Sequence, residues 1–186
     1  MQPAELMDII AEDPVIAAVD DEKWQDALNS PVRVLFYLSA NILSVCRKVR
    51  QAHDAGKLVM VHLDLAEGIG KDNAGIAYLA DCGVDGIIST RANLIRQAKN
   101  KGLITIQRFF ALDSKGLESI AEMVKNSSPH MMEIMPGVVN KAISRFSSGE
   151  IPIIAGGLLE SKVEVTNALR AGAVAVSTSC QALWYL

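Results

Sequence analysis

Two groups of residues in this chain have the types and spacing that chemistry needs. Residues 58–65 read Leu-Val-Met-Val-His-Leu-Asp-Leu. With the two-residue period of a strand, His62 and Asp64 share one face and the valines the other. Residues 131–135, Met-Met-Glu-Ile-Met, put Glu133 on a face with two methionines, and Gln107 and Arg108 sit near the end of the apolar run 103–110. Carboxylates and imidazoles set among aliphatic residues are costly to bury unless they are paired or turned towards a ligand or water. His62, Asp64, Gln107, Arg108 and Glu133 are therefore candidates for reading the hydroxyls of a small polar ligand, since an ionised carboxylate accepts what an alcohol donates. The plainer alternative is a structural polar network. A metal on His62, Asp64 and Glu133 has no supporting ligand spacing, so none is expected.

The second group closes the chain. Residues 151–158 run Ile-Pro-Ile-Ile-Ala-Gly-Gly-Leu, and residues 173–179 run Ala-Val-Ala-Val-Ser-Thr-Ser. Each is an apolar run ending in groups that suit an anion. Glycine lets the backbone approach closely, and the following N–H groups and hydroxyls are donors. Gly156, Gly157, Ser177, Thr178 and Ser179 are the expected phosphate site, with two ordinary tight turns as the alternative. Lys71 and Arg91 are candidate loop or RNA contacts. Two basic clusters, Arg47, Lys48, Arg50 and Lys57, then Arg91, Arg96, Lys99 and Lys101, equally suit solvated helix faces.

The elements that must carry these residues alternate along the chain. Apolar runs fall at 15–19, 32–38, 58–65, 86–89, 103–110, 131–135, 151–155 and 173–177. Helical patterns fall between them at 22–29, 42–55, 73–82, 92–99, 115–125, 138–146 and 162–170, and a short segment, 181–186, ends the chain. Gly56, Gly83, Gly102 and Gly172 each follow a helical run, where a left-handed residue closes the helix. Strict alternation implies parallel strands and right-handed crossovers. The fold class expected is α/β, a compact (β/α)8 barrel in a single domain over residues 1–186. Its first or last helix should be truncated, because a typical barrel needs about 250 residues. An open doubly wound sheet is second, weakened by the lack of Gly-x-Gly-x-x-Gly after the first strand. In a barrel, both residue groups fall at the C-terminal ends of strands, where ligands bind, and the last two units are a frequent phosphate site.

Composition narrows the function. The chain has 186 residues, 50% of them hydrophobic and 5% aromatic, with a formal net charge of −3. That apolar fraction excludes disorder, and short aliphatics suit a parallel sheet buried on both faces. No global cationic field exists to attract nucleic acid, so RNA contact would need a local patch. Cys46, Cys82 and Cys180 are far apart and odd in number, which argues against a disulfide framework or a zinc site. Acidic residues precede the first basic one, Lys23, the reverse of a secretory signal. No apolar run reaches membrane-span length, so a cytoplasmic protein is expected.

Six ordered stretches complete the reading: Met60-Val-His-Leu-Asp-Leu-Ala-Glu-Gly-Ile-Gly, Gly86-Ile-Ile-Ser-Thr-Arg-Ala-Asn, Thr105-Ile-Gln-Arg-Phe-Phe, Glu133-Ile-Met-Pro-Gly, Ile151-Pro-Ile-Ile-Ala-Gly-Gly-Leu and Ala173-Val-Ala-Val-Ser-Thr-Ser. Together they resemble the glycerol uptake operon antiterminator regulatory proteins, the glycerol-3-phosphate-responsive antiterminators, from about Val15 to the C-terminus. Ala40 and Ala92 depart from the glycine and serine that the pattern leads one to expect. The resemblance implies a cytoplasmic regulator that senses glycerol 3-phosphate and acts on leader mRNA to carry transcription past a terminator. It implies no catalytic residue and no cofactor, and it leaves a homo-oligomer open. Two competing classes stand beside it. An enzyme on a small phosphorylated substrate would use Glu133 or Asp64 as base and His62 as acid. A ligand-binding scaffold would act through a protein partner.

Overall fold

The computed structural model describes residues 1–111 and 113–186. Eight parallel strands close into a barrel in chain order: β1 (Val15–Val19), β2 (Val34–Tyr37), β3 (Leu58–His62), β4 (Gly86–Ser89), β5 (Ile104–Phe110), β6 (Met131–Met135), β7 (Ile153–Gly156) and β8 (Ala175–Thr178). The connections carry α2 (Trp24–Asn29), α3 (Val45–Asp54), α4 (Asn73–Asp81), α5 (Ala92–Asn100), α6 (Ser114–Ser127), α7 (Asn140–Phe146) and α8 (Lys162–Arg170). The expected (β/α)8 barrel is what the chain forms. Its truncation is visible at both ends of the cycle: α2 has six residues, and a 3-10 segment, Gln181–Tyr185, stands in place of a last helix.

Strand alternation divides the apolar residues into two cores. Ile16, Val34, Phe36, Met60, Ile88, Ile104, Ile106, Met131, Ile154 and Ala175, drawn from all eight strands, fill the barrel interior. Residues of the opposite parity, such as Val59, Val61, Ile87, Ile134 and Val176, pack beneath the helices. The parity read for residues 58–62 and 131–135 is the observed one. The four helix-closing glycines also have positive φ, from 71° at Gly56 to 109° at Gly172.

Three differences from the sequence reading matter. A helix not anticipated, α1 (Pro3–Glu12), precedes β1, with Pro3 in its first turn and a capping box between Gln2 and Glu5. Its Leu6 and Ile10, one helical turn apart, join the interior core beside Leu58 and Val174 and so cover the N-terminal end of the barrel. Next, β3 stops at His62, and Leu63–Leu65 form a 3-10 turn instead of continuing the strand. Finally, Cys46 on α3 and Cys82 just after α4 are joined in a disulfide, their Cα atoms 4.5 Å apart. Spacing along the chain argues against that bond, but consecutive units of the outer ring bring the two side chains together. Cys180 is free.

Candidate functional site

The mouth of the barrel is built on one buried ion pair. The β5–β6 register sets Arg108 opposite Glu133, and both side chains point inward, by the parity of Ile104, Ile106 and Met131. Glu133 is fully buried, and Arg108 is 9% exposed. Arg108 Nε donates to Glu133 Oε2 at 2.5 Å, and Ser177 Oγ, arriving on β8, donates to Oε1 at 2.6 Å. Each carboxylate oxygen therefore receives a charge-assisted or short bond, which is how such a burial is tolerated. Among the described residues the terminal nitrogens of Arg108 make no hydrogen bond, and the side chain lines a cavity of about 620 Å³.

That cavity opens between the ends of β1, β5, β6, β7 and β8, and Gly157, Ser177, Thr178 and Ser179 line it. The glycine pair has a divided role. A Cβ at Gly156 would lie 2.3 Å from Glu133 Oε1 and 2.8 Å from Ser177 Oγ, so this glycine clears space for the ion pair. Gly157 has φ +76°, a conformation that side chains rarely adopt, and a Cβ there would meet Met135 Cε at 2.6 Å. The hydroxyls of Ser177 and Thr178 are already committed, since Thr178 Oγ1 donates to the Leu159 carbonyl and accepts from Cys180 N–H. They shape the loops. Among the described residues, the N–H groups of Leu158, Leu159 and Ser179 make no hydrogen bond and remain as donors on the cavity wall. The start of α8 is spent on itself: Glu160 and Ser161 N–H donate to Glu164, whose carboxyl those bonds hold below its ordinary range.

His62 also points inward and is 3% exposed, and among the described residues neither ring nitrogen has a partner. Burial, with the Arg108 charge nearby, lowers its pKa to about 4, so the ring is neutral near pH 7. Asp64 is placed differently from the strand-based expectation. On its 3-10 turn it accepts from Ser89 Oγ, Thr90 N–H and Thr90 Oγ1, and Arg91 Nε lies 3.6 Å away. Burial alone would raise its pKa, but these bonds prevail and lower it. Asp64 thus ties the end of β3 to the β4–α5 loop. Gln107 is likewise corrected: it has the parity of Thr105 and Phe109, and its side chain points to the helix layer, where Nε2 donates to the Thr90 carbonyl and Oε1 accepts from Ser127 on α6. Lys71 Nζ donates to the carbonyls of Ala66 and Ile69, closing the β3–α4 loop on itself.

One residue at the cavity escaped the sequence reading. Lys23, in the β1–α2 loop, lines it, and its Nζ donates to the Ser179 carbonyl at 2.9 Å. Its place just past the end of the first strand was the available signal, obscured because residues 22–29 read as a helical run that takes in Lys23.

These features define a closed parallel (β/α)8 barrel with a polar cavity at the C-terminal ends of its strands. The chain belongs to the glycerol-3-phosphate responsive antiterminator family, whose model matches residues 15–184. It is 35% identical over 184 residues to the uncharacterized protein YgcP of Escherichia coli (strain K12), covering 97% of this chain and 96% of that one. Two crystal structures resemble it closely. The glycerol uptake operon antiterminator regulatory protein of Listeria monocytogenes str. 4b F2365 is 31% identical, with TM-score 0.87 over 92% of this chain and 95% of that one. A glycerol uptake operon antiterminator-related protein of Thermotoga maritima MSB8 is 31% identical, with TM-score 0.83 over 91% and 96%.

Proposed function

We propose that this protein is a ligand-responsive regulator: it binds glycerol 3-phosphate at the barrel mouth and, so loaded, binds leader mRNA to promote antitermination of glycerol-use genes in the cytoplasm. The observation that carries the reading is the cavity itself, in a chain of an antiterminator family. It joins unspent backbone donors after β7 and β8, suited to a phosphate, to a polar floor of Arg108 and Glu133, suited to hydroxyls. The phosphate would meet the Gly157 and Ser179 loops, and the glycerol end would face Arg108 and Glu133.

Glu133 makes a poor general base, because both its oxygens accept strong bonds from the protein. This favours a sensor over an enzyme on the same barrel. Lys71 and Arg91, flanking the mouth on the β3–α4 and β4–α5 loops, are the side chains through which ligand binding would reach RNA. Coupling requires contacts that differ between two states of these loops. The test is RNA affinity by mobility shift, titrated with glycerol 3-phosphate at fixed salt. The expected result is a ligand-dependent rise in affinity that weakens steeply with added salt, with no product formed from the ligand. An RNA affinity indifferent to the ligand, or steady turnover, would sink the proposal.

A further inference from the structure

The β1–α2 loop is held far more firmly than a surface connection requires. Asp20 Oδ1 accepts from the N–H groups of Glu22 and Lys23, each at 3.1 Å. Asp21 Oδ1 accepts from Lys48 Nζ and from the Tyr37 hydroxyl, each at 2.5 Å, and Asp21 N–H donates to Ser39 Oγ at 3.1 Å. Lys48 reaches Asp21 from α3 with only 8% of its surface exposed, its ammonium 5.1 Å from the ring centres of both Trp24 and Tyr37. A buried ammonium is unfavourable unless paired, and this one is spent on fixing a loop. Burial followed by the Asp21 bond pushes the Tyr37 phenol up. At Asp21, burial acts upwards, but the bonds from Lys48 and Tyr37 outweigh it and keep the carboxyl low.

What the braced loop presents to the cavity is Lys23. Its ammonium has three donors, and one is used, on the Ser179 carbonyl. The other cation on the wall, Arg108, has its charge opposed by Glu133 at 2.5 Å. Lys23 takes part in none of the described ion pairs. It therefore brings to the Ser179 loop, beside the free N–H groups, a positive charge that no described carboxylate pairs directly, although Glu160 lines the same cavity.

We propose that Lys23 is the cationic ligand of the bound phosphate group, held ready by Asp20, Asp21, Lys48 and Tyr37, and that it makes the site selective for phosphomonoesters over uncharged polyols. This inference rests on the phosphate reading of the cavity given above. An ammonium–phosphate bond in a partly desolvated site is about twice as strong as a neutral one, so its loss is measurable.

The test is titration calorimetry with sn-glycerol 3-phosphate and with glycerol on the full chain and four variants. Lys23→Met and Lys23→Gln should each lower affinity for the phosphomonoester about ten- to hundred-fold, while Lys23→Arg keeps most of it. Gln181→Ala removes another tie across the same seam, its 2.7 Å bond to Asp26, without touching the cation, and should leave affinity unchanged. Lys23→Gln can still donate to the Ser179 carbonyl, so it separates loss of charge from loss of the strut. Wild-type affinity in Lys23→Gln and Lys23→Met would overturn the assignment and leave the phosphate reading standing. A loss in Gln181→Ala as large as in Lys23→Met would make Lys23 a structural tie and also overturn it. A wild-type chain that binds no phosphomonoester, or that binds glycerol equally well, would overturn inference and reading together.

Discussion

Ser177 Oγ on β8 donates to Glu133 Oε1 on β6 at 2.6 Å, over the inward face of the intervening strand β7. That contact exists because β7 presents Gly156 between them, where any Cβ would collide with both partners. A hydroxyl, a carboxylate and a missing side chain thus form one unit, completed by Arg108 on the far side of Glu133.

Removing one member of that unit should be more damaging than removing the charge pair. Arg108→Met leaves Glu133 buried without its cation and should cost about 3–5 kcal/mol of stability, whereas the double variant Arg108→Met/Glu133→Leu should recover much of it. Urea unfolding with a double-mutant cycle measures this. Equal stability of Arg108→Met and wild type would mean that the pair contributes nothing to the fold.

At the neighbouring glycine the expected loss is in binding. Gly157→Val puts a β-branched residue at φ +76° with its Cβ against Met135. Affinity for glycerol 3-phosphate should fall by about tenfold or more, since strain at such a position is of the order of 1–3 kcal/mol before any blocked approach. Calorimetry showing unchanged affinity would remove the β7–α8 loop from the phosphate site.

The glycerol end has its own check. If Arg108 and Glu133 read hydroxyls, inorganic phosphate should bind much more weakly than glycerol 3-phosphate. Competition calorimetry reads both. Equal affinities for the two anions in the wild type would reduce the mouth to a structural floor.

Acid should destabilise the protein through His62. Its pKa falls from an ordinary 6.5 to about 4 on folding, so between those values the unfolded chain binds more protons than the folded one. Stability therefore rises with pH across that window, is fully present above 6.5 and is lost as pH falls towards 4, by up to about 3 kcal/mol. His130, lowered chiefly by its burial, acts in the same direction. Urea midpoints at pH 7 and pH 4.5 should differ less in His62→Gln than in wild type. An identical pH dependence would show that the ring is charged or solvated when folded.

The helix beneath the barrel should be structural. Leu6 and Ile10 are each 1% exposed in the interior core, so Leu6→Ala or Ile10→Ala should cost about 2–5 kcal/mol while leaving ligand affinity intact, because the mouth lies at the opposite end. Thermal unfolding and calorimetry on the same samples separate the two effects.

The sequence by itself determined the eight strands and the seven helices between them, the helix-closing glycines and the inward parity of His62 and Glu133. These follow from short-range rules: the two-residue period, the helical period and the need for positive φ at turns. It could not show where a strand ends when the reason lies on another strand. Asp64 leaves the ladder with its carboxylate bound to Ser89 and Thr90, and those partners belong to the next unit. Ser89-Thr90 and Ser177-Thr178 read alike, yet Ser89 has the helix-facing parity of Ile87, and Ser177 has the inward parity of Ala175. Gln107 and Arg108 are adjacent in the chain and face opposite layers, which a one-residue difference in strand phase decides. Tertiary packing decided the rest. Packing of neighbouring outer units brought Cys46 to Cys82 across 36 residues, and closure of the barrel brought Lys23 to Ser179 across 156 and set α1 over the open end of the core. Such contacts depend on which surfaces meet when the units pack and β8 pairs with β1, and no local pattern encodes that distance.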